Sequence, residues 1–153
     1  MVSVIISRYP NLYMNTFNMK KIVIDEHKEK ADLNKYANYY FLLDFWMQAL
    51  ERGKRIEQFL NLNGYQHIAI YGSSGLGEHL KTQIVNTNIS IEYSIDRLVV
   101  DVCGKHLKDC YEILPNVDAI IVTPVYDFFS IKSELAQYIS CKIVSLEEVI
   151  LSL

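Results

Sequence analysis

The stretch HIAIYGSSGLGEHL, residues 67–80, constrains this chain more than any other. Ile68, Ala69, Ile70 and Tyr71, bounded by the Asn63-Gly64 turn signal and by Gly72, predict a strand over residues 67–71. The strand runs directly into Gly72, Ser73, Ser74, Gly75, Leu76 and Gly77, and then into a helix predicted over residues 75–85. Glycine enters backbone regions closed to other residues, so this composition marks a tight strand-to-helix reversal. A further strand is predicted at residues 90–95 (SIEYSI), followed by Asp96 and Arg97. Strand, helix, strand requires a crossover, and crossovers produce parallel pairing.

The alternation continues. Residues 98–102 can form a short third strand, residues 107–114 read as a helix ended by Pro115, and residues 117–123 (VDAIIVT) read as a buried strand. A helix over 128–139, a strand over 142–144 and an amphipathic turn or helix from Leu146 complete the pattern. The expected fold is therefore α/β, with a parallel sheet of about five strands in the order 3-2-1-4-5, covered on both faces. At 153 residues, 50% hydrophobic and 22% charged, the chain has material for one such domain and an N-terminal extension.

The division expected is an arm over 1–33, a helical extension over 34–64 and the α/β domain over 65–153. The arm has no clear period; residues 25–30 are charged enough to be solvated, and residues 21–25 (KIVID) can pair as a short edge strand. Asn34 is a candidate N-cap for a helix reaching Arg52, with Gly53 just beyond its end. Its apolar residues, Tyr36, Tyr39, Tyr40, Phe41, Leu42, Leu43, Phe45, Trp46, Met47, Ala49 and Leu50, exceed a single helical stripe. Such a helix needs cover on two sides, so a homodimer is expected through the segment from Tyr36 to Leu50 unless the arm folds back over it. A shorter helix is predicted over residues 54–62.

Several classes are disfavoured. A net charge of −3 with scattered lysines gives no reason to expect nucleic acid. No run approaches the ~20 apolar residues of a membrane span, and MVSVIISRYP lacks the basic start and small-residue cleavage site of a secretory signal. Three cysteines without disulfide-framework spacing are expected as reduced thiols in a cytoplasmic protein. Cys103, His106 and Cys110 have soft-ligand chemistry but no nearby fourth ligand, so no metal is expected.

In the pattern G-x-G-x-x-G the first glycine makes the turn, the second admits a pyrophosphate and the third lets helix pack on strand. Gly72, Ser74 and Gly77 hold those positions. Ser74 narrows the approach, although Gly75 beside it restores freedom and its hydroxyl can donate to a phosphate oxygen. The helix start favours an anion, while Glu78 in the first turn opposes a diphosphate. Asp96, 24 residues after Gly72, falls where a carboxylate accepts from ribose hydroxyls, and Arg97 can instead hold a 2′-phosphate. A plain solvated loop is the alternative for Asp96 and Arg97. Thr123 and Pro124 lie at the switch between strands one and four, and Tyr126 and Asp127 just after them can orient a sugar, act as acid and base, or merely cap a helix. Tyr138 and Lys142 have the spacing of a short-chain oxidoreductase pair but straddle a helix end, where four residues no longer mean one face.

The segments GYQHIAIYGSSGLGEHL, YSIDR, DAIIVTPVYDFFSIKSEL and CKIVSLEEVI resemble the Rossmann-like domains encoded in bacterial capsular and exopolysaccharide clusters, related to the nucleotide-binding halves of nucleotide-sugar dehydratases and epimerases. The resemblance runs from about Phe41 to the C-terminus. It implies an NAD(P) or nucleotide-sugar contact at Gly72 to Gly77 and at Asp96, on a domain that in fuller relatives adjoins a catalytic part. With the chain stopping soon after the fifth strand, that part is expected to be missing. The expected role is an accessory nucleotide-binding domain in surface polysaccharide biosynthesis, working with an enzyme of that pathway rather than as a complete enzyme. Two alternatives stand beside it: an interaction or dimerisation module that keeps the scaffold without a ligand, and a small nucleotide-sugar epimerase or oxidoreductase.

Overall fold

Strand β1 (His67–Tyr71) sends Ile68 and Ile70 to one face of a sheet and Ala69 and Tyr71 to the other, and all four are buried. A strand covered on both faces belongs at the centre of an α/β sheet. In the computed structural model, which describes residues 26–153, β1 pairs in parallel with β2 (Ser90–Asp96) on one side and with β5 (Ala119–Val122) on the other. β6 (Lys142–Ser145) pairs in parallel with β5. Two strands of two residues each, β3 (Val99–Val100) and β4 (Lys105–His106), add antiparallel to the edge at β2.

The α/β class is as expected, but strand count and order are not. The sheet has six strands in the order β4-β3-β2-β1-β5-β6. The predicted third strand over 98–102 shrinks to Val99–Val100 and turns back on β2 as a hairpin, because Arg97 and Leu98 reverse the chain immediately after Asp96. The helix predicted over 107–114 is instead two 3-10 turns, Leu107–Asp109 and Tyr111–Ile113. Leu107 and Cys110 are its buried residues, and a spacing of three suits three residues per turn better than 3.6.

Five helices are described: α1 (Glu26–Glu51), α2 (Ile56–Leu62), α3 (Gly75–Ile84), α4 (Phe128–Leu135) and α5 (Leu146–Leu151). The first starts before the expected cap at Asn34: residues 26–33 contain neither Gly nor Pro and are rich in Glu, Lys, Ala and Leu, good helix formers. α4 ends at Leu135 rather than 139, with tight turns at Tyr138 and Ile139. The segment 21–25 lies outside the described residues.

Residues 35–153 make one unit. On one face of its sheet, Leu42 and Trp46 of α1 join Ile56 and Leu60 of α2, Leu80 and Ile84 of α3, and Leu146 and Val149 of α5 over Ile68, Ile70 and Ile121. On the other, Ile131 and Leu135 of α4 pack with Leu107 and Cys110 over Tyr93, Ile95, Ile120 and Val122. No described helix is long and apolar enough to cross a membrane.

Candidate functional site at the carboxyl ends of the strands

The turn after β1 is fixed by two glycines. Gly72 has φ +101°, and a Cβ built on it would stand 2.5 Å from Thr123 Oγ1 and 2.9 Å from Pro124 Cδ. Its N–H donates to the Ile95 carbonyl at 2.8 Å, tying the turn to the end of β2. A Cβ on Gly77 would overlap the Gly72 carbonyl oxygen. The first and third glycine positions therefore serve turn and helix packing, and Leu76 and Gly77 are buried beneath. Ser74 is the N-cap of α3 without a side-chain capping bond, and Gly75 has open space around it.

Thr123 is fully buried, and its hydroxyl donates to the Tyr71 carbonyl at 3.1 Å. Thr123 and Pro124 thus wall the glycine turn from the β5 side. The Tyr71 phenol is raised by burial, with Glu134 and Asp96 adding to the shift and a backbone hydrogen bond at Leu98 opposing it.

At the end of β2, Ser73 Oγ donates to Asp96 Oδ2 at 2.5 Å. This bond joins two residues that sequence reasoning placed in different motifs. Both line a cleft of about 400 Å³ together with Lys81, Ser94, Asp101 and Gly104. Asp101 is locked from within, its Oδ1 accepting from the N–H groups of Ser94 and Val102 at 2.8 Å each. Lys81 reaches Glu78 at 2.9 Å, which answers the carboxylate in the first turn of α3. Lys81, Ser94 and Asp101 were not among the expected site residues; the signal for Lys81 was its position one turn beyond Gly77, whereas Ser94 and Asp101 depend on the hairpin.

That hairpin is strained. Arg97 and Leu98 have φ of +47° and +63°, as a two-residue type I′ turn demands, but without the Asn or Gly that normally meets it. A bulky residue there costs about 1–2 kcal/mol.

The other candidates are not assembled into a reactive group. Asp127 pairs with Lys35 at 3.7 Å, and the same ammonium lies 5.8 Å from the Tyr126 ring centroid. Tyr138 lies beyond the end of α4, while Lys142 opens β6. Cys103 and Cys110 bring their sulfurs within 2.6 Å, and burial pushes the Cys110 thiol up to about 11. Among the described residues no group of three or more His, Cys, Asp or Glu is arranged to hold a metal ion.

Comparison of the chain with protein-family models, with curated proteins and with solved structures gave no match.

Proposed function

We propose that this chain is an accessory nucleotide-binding domain of Rossmann-like type that takes NAD(P) or a nucleotide-sugar at the glycine turn. The observation that carries the reading is the junction of Ser73 with Asp96 on the cleft between α3 and the β2–β3 hairpin. A carboxylate at the end of the second strand, with one oxygen engaged by Ser73 and the other left for a ligand hydroxyl, suits a ribose diol. A diphosphate would then lie toward the first N–H groups of α3, where the helix dipole favours it. Ser74 at the close-approach position and the acidic residues Asp96 and Asp101 favour a ribose contact over a tightly gripped diphosphate. Arg97 follows Asp96 in the chain but does not line the cleft, so a 2′-phosphate contact finds less support than the ribose contact.

Engagement of Tyr126 and Asp127 by Lys35 gives no support to an acid–base pair there, so the reading stays with binding rather than catalysis. The role in surface polysaccharide synthesis, in the cytoplasm and beside an enzyme of that pathway, rests on the resemblance in the glycine-turn and strand segments.

The test is thermal melting in the presence of NAD(H), NADP(H), UDP-sugars and coenzyme A. A ligand at 100 times its Kd adds ~2.7 kcal/mol, and that gain is expected to disappear in Asp96→Ala. Unchanged melting with every one of these compounds would sink the reading.

A further inference from the structure

Helix α1 carries more apolar surface than the other described residues cover. Its inward stripe is Leu42, Trp46 and Ala49, each at most 3% exposed. Tyr36, Tyr40, Leu43 and Met47 are 71%, 68%, 42% and 57% exposed. These four, with half-buried Leu50, are spaced 4, 3, 4 and 3 residues apart. At 100° per residue they fall on one line beside the inward stripe, which is the spacing of a two-helix seam.

The C-terminal half of the seam forms one wall of a groove of about 250 Å³, made by Leu43, Met47 and Leu50 with His79 and Gln83 of α3. Two buried polar atoms of the groove residues have no hydrogen-bond partner among the described residues: Trp46 Nε1, a donor, and Gln83 Oε1, an acceptor. Leaving such atoms unpaired costs ~1–3 kcal/mol each. Both atoms are closed to solvent in the single chain, so a tyrosine entering the groove serves either one, as donor or acceptor, once the Trp46 or Gln83 side chain rotates toward it.

We infer that α1 pairs antiparallel with α1 of a second copy of this chain, placing Tyr36 of the partner subunit opposite Met47 and Tyr40 of the partner subunit opposite Leu43. An isologous two-fold contact uses the same patch twice. Only the antiparallel sense brings the tyrosine-bearing half of one seam to the groove-bearing half of the other. A parallel pair would set Met47 against Met47 and bring no phenol to Trp46 and Gln83. Tyr36 and Tyr40, at ~150–250 Å² per aromatic side chain, with the smaller exposed parts of Leu43 and Met47, offer on the order of 500 Å² per copy; fully buried, that is about 1,000 Å² in the pair, the lower bound for a specific interface, and the groove walls add to it. This pairing stands independently of any nucleotide at the glycine turn.

Sedimentation of the full chain over a dilution series tests it. The unmodified chain is expected to be dimeric at tens of micromolar, and Tyr40→Glu and Met47→Glu monomeric with unchanged circular dichroism. Phe45→Glu, which alters an exposed residue on the opposite side of α1, should remain dimeric. Tyr36→Phe or Tyr40→Phe, whichever removes the hydroxyl seated in the groove, should raise the dimer Kd roughly 5- to 10-fold. A monomer at all concentrations, a dimer that survives both glutamate variants, or a Kd unchanged by both phenylalanine variants overturns the inference. The unmodified chain decides the first point even where a variant fails to fold.

Discussion

The two ends of the parallel strands are built on opposite terms. At the amino end, polar groups close on one another: Asp118 Oδ2 accepts from the N–H groups of Gln66 and His67 at 2.9 and 2.8 Å, and His67 meets Glu92 at 2.8 Å with Ser90 completing the cluster. The His67 backbone bond holds the Asp118 carboxyl below its ordinary range. At the carboxyl end, Gly72 sits where no side chain fits, two bulky residues occupy left-handed backbone, and Ser73, Asp96 and Lys81 open onto a cleft. One end is tied by hydrogen bonds, and its left-handed non-glycine residue, Asn86, is of a type that tolerates that backbone; the other holds Arg97 and Leu98 there beside an open polar surface.

The sharpest way to break this comparison is at the carboxyl end. Gly72→Ala and Gly77→Ala should each cost about 1–3 kcal/mol by overpacking, with Gly72 the worse for its positive φ. Gly75→Ala, facing open space, should stay within about 0.5 kcal/mol. Urea denaturation midpoints will show whether the three glycines separate this way, and equal effects would remove the claim that packing selects them. Replacing Arg97-Leu98 by Asn-Gly should stabilise the chain by about 1–2 kcal/mol. Absence of any gain would show that the hairpin turn stores no strain.

Smaller effects lie at the amino end. Because the folded pKa of Asp118 is depressed, its contribution is present above the unfolded value near 4 and is lost as pH falls through the folded one. Asp118→Ala should therefore melt lower than the parent at pH 7, with the gap closing in acid; a gap that persists at pH 2 argues against the linkage. The smallest effect belongs to His67 and Glu92. The Glu92 bond raises His67, while Ser90 first and His67 second lower Glu92. His67 contributes below its unfolded pKa of about 6.5 and loses that as pH rises through its folded value; Glu92 contributes above about 4.3 and loses that as pH falls. The pair thus acts between those limits. Glu92→Gln should bring the His67 titration, followed by NMR, back toward 6.5, and an unmoved titration would dissolve the pair.

Much of the central sheet was legible because its residues satisfy local and global demands together. Residues 67–71 and 119–122 are apolar at every position or nearly so, and strands of that kind fit only between two covered faces. The glycine turn was legible for the same reason, since Gly72 and Gly77 stand where a Cβ has no room. The bond between Ser73 and Asp96 was not: it joins residues 23 apart in sequence, and each taken alone is an ordinary loop residue. The segment from Arg97 to Ile113 misled because its short apolar runs suit a strand or a helix equally, and only the return of the chain onto β2 decides between them.

The sequence alone determined the alternation of strands and helices, the parallel centre and the tight turn after residue 71, because side-chain alternation, periodicity and glycine stereochemistry act within a few residues. Tertiary structure decided the hairpin edge, the cleft at Asp96 and which stripe of α1 is inward. On that helix apolar residues surround most of the cylinder, so periodicity could not choose a face. The choice fell to Leu42, Trp46 and Ala49 because they form the stripe that packs into the apolar layer over the sheet, leaving Tyr36, Tyr40, Leu43 and Met47 for a second surface.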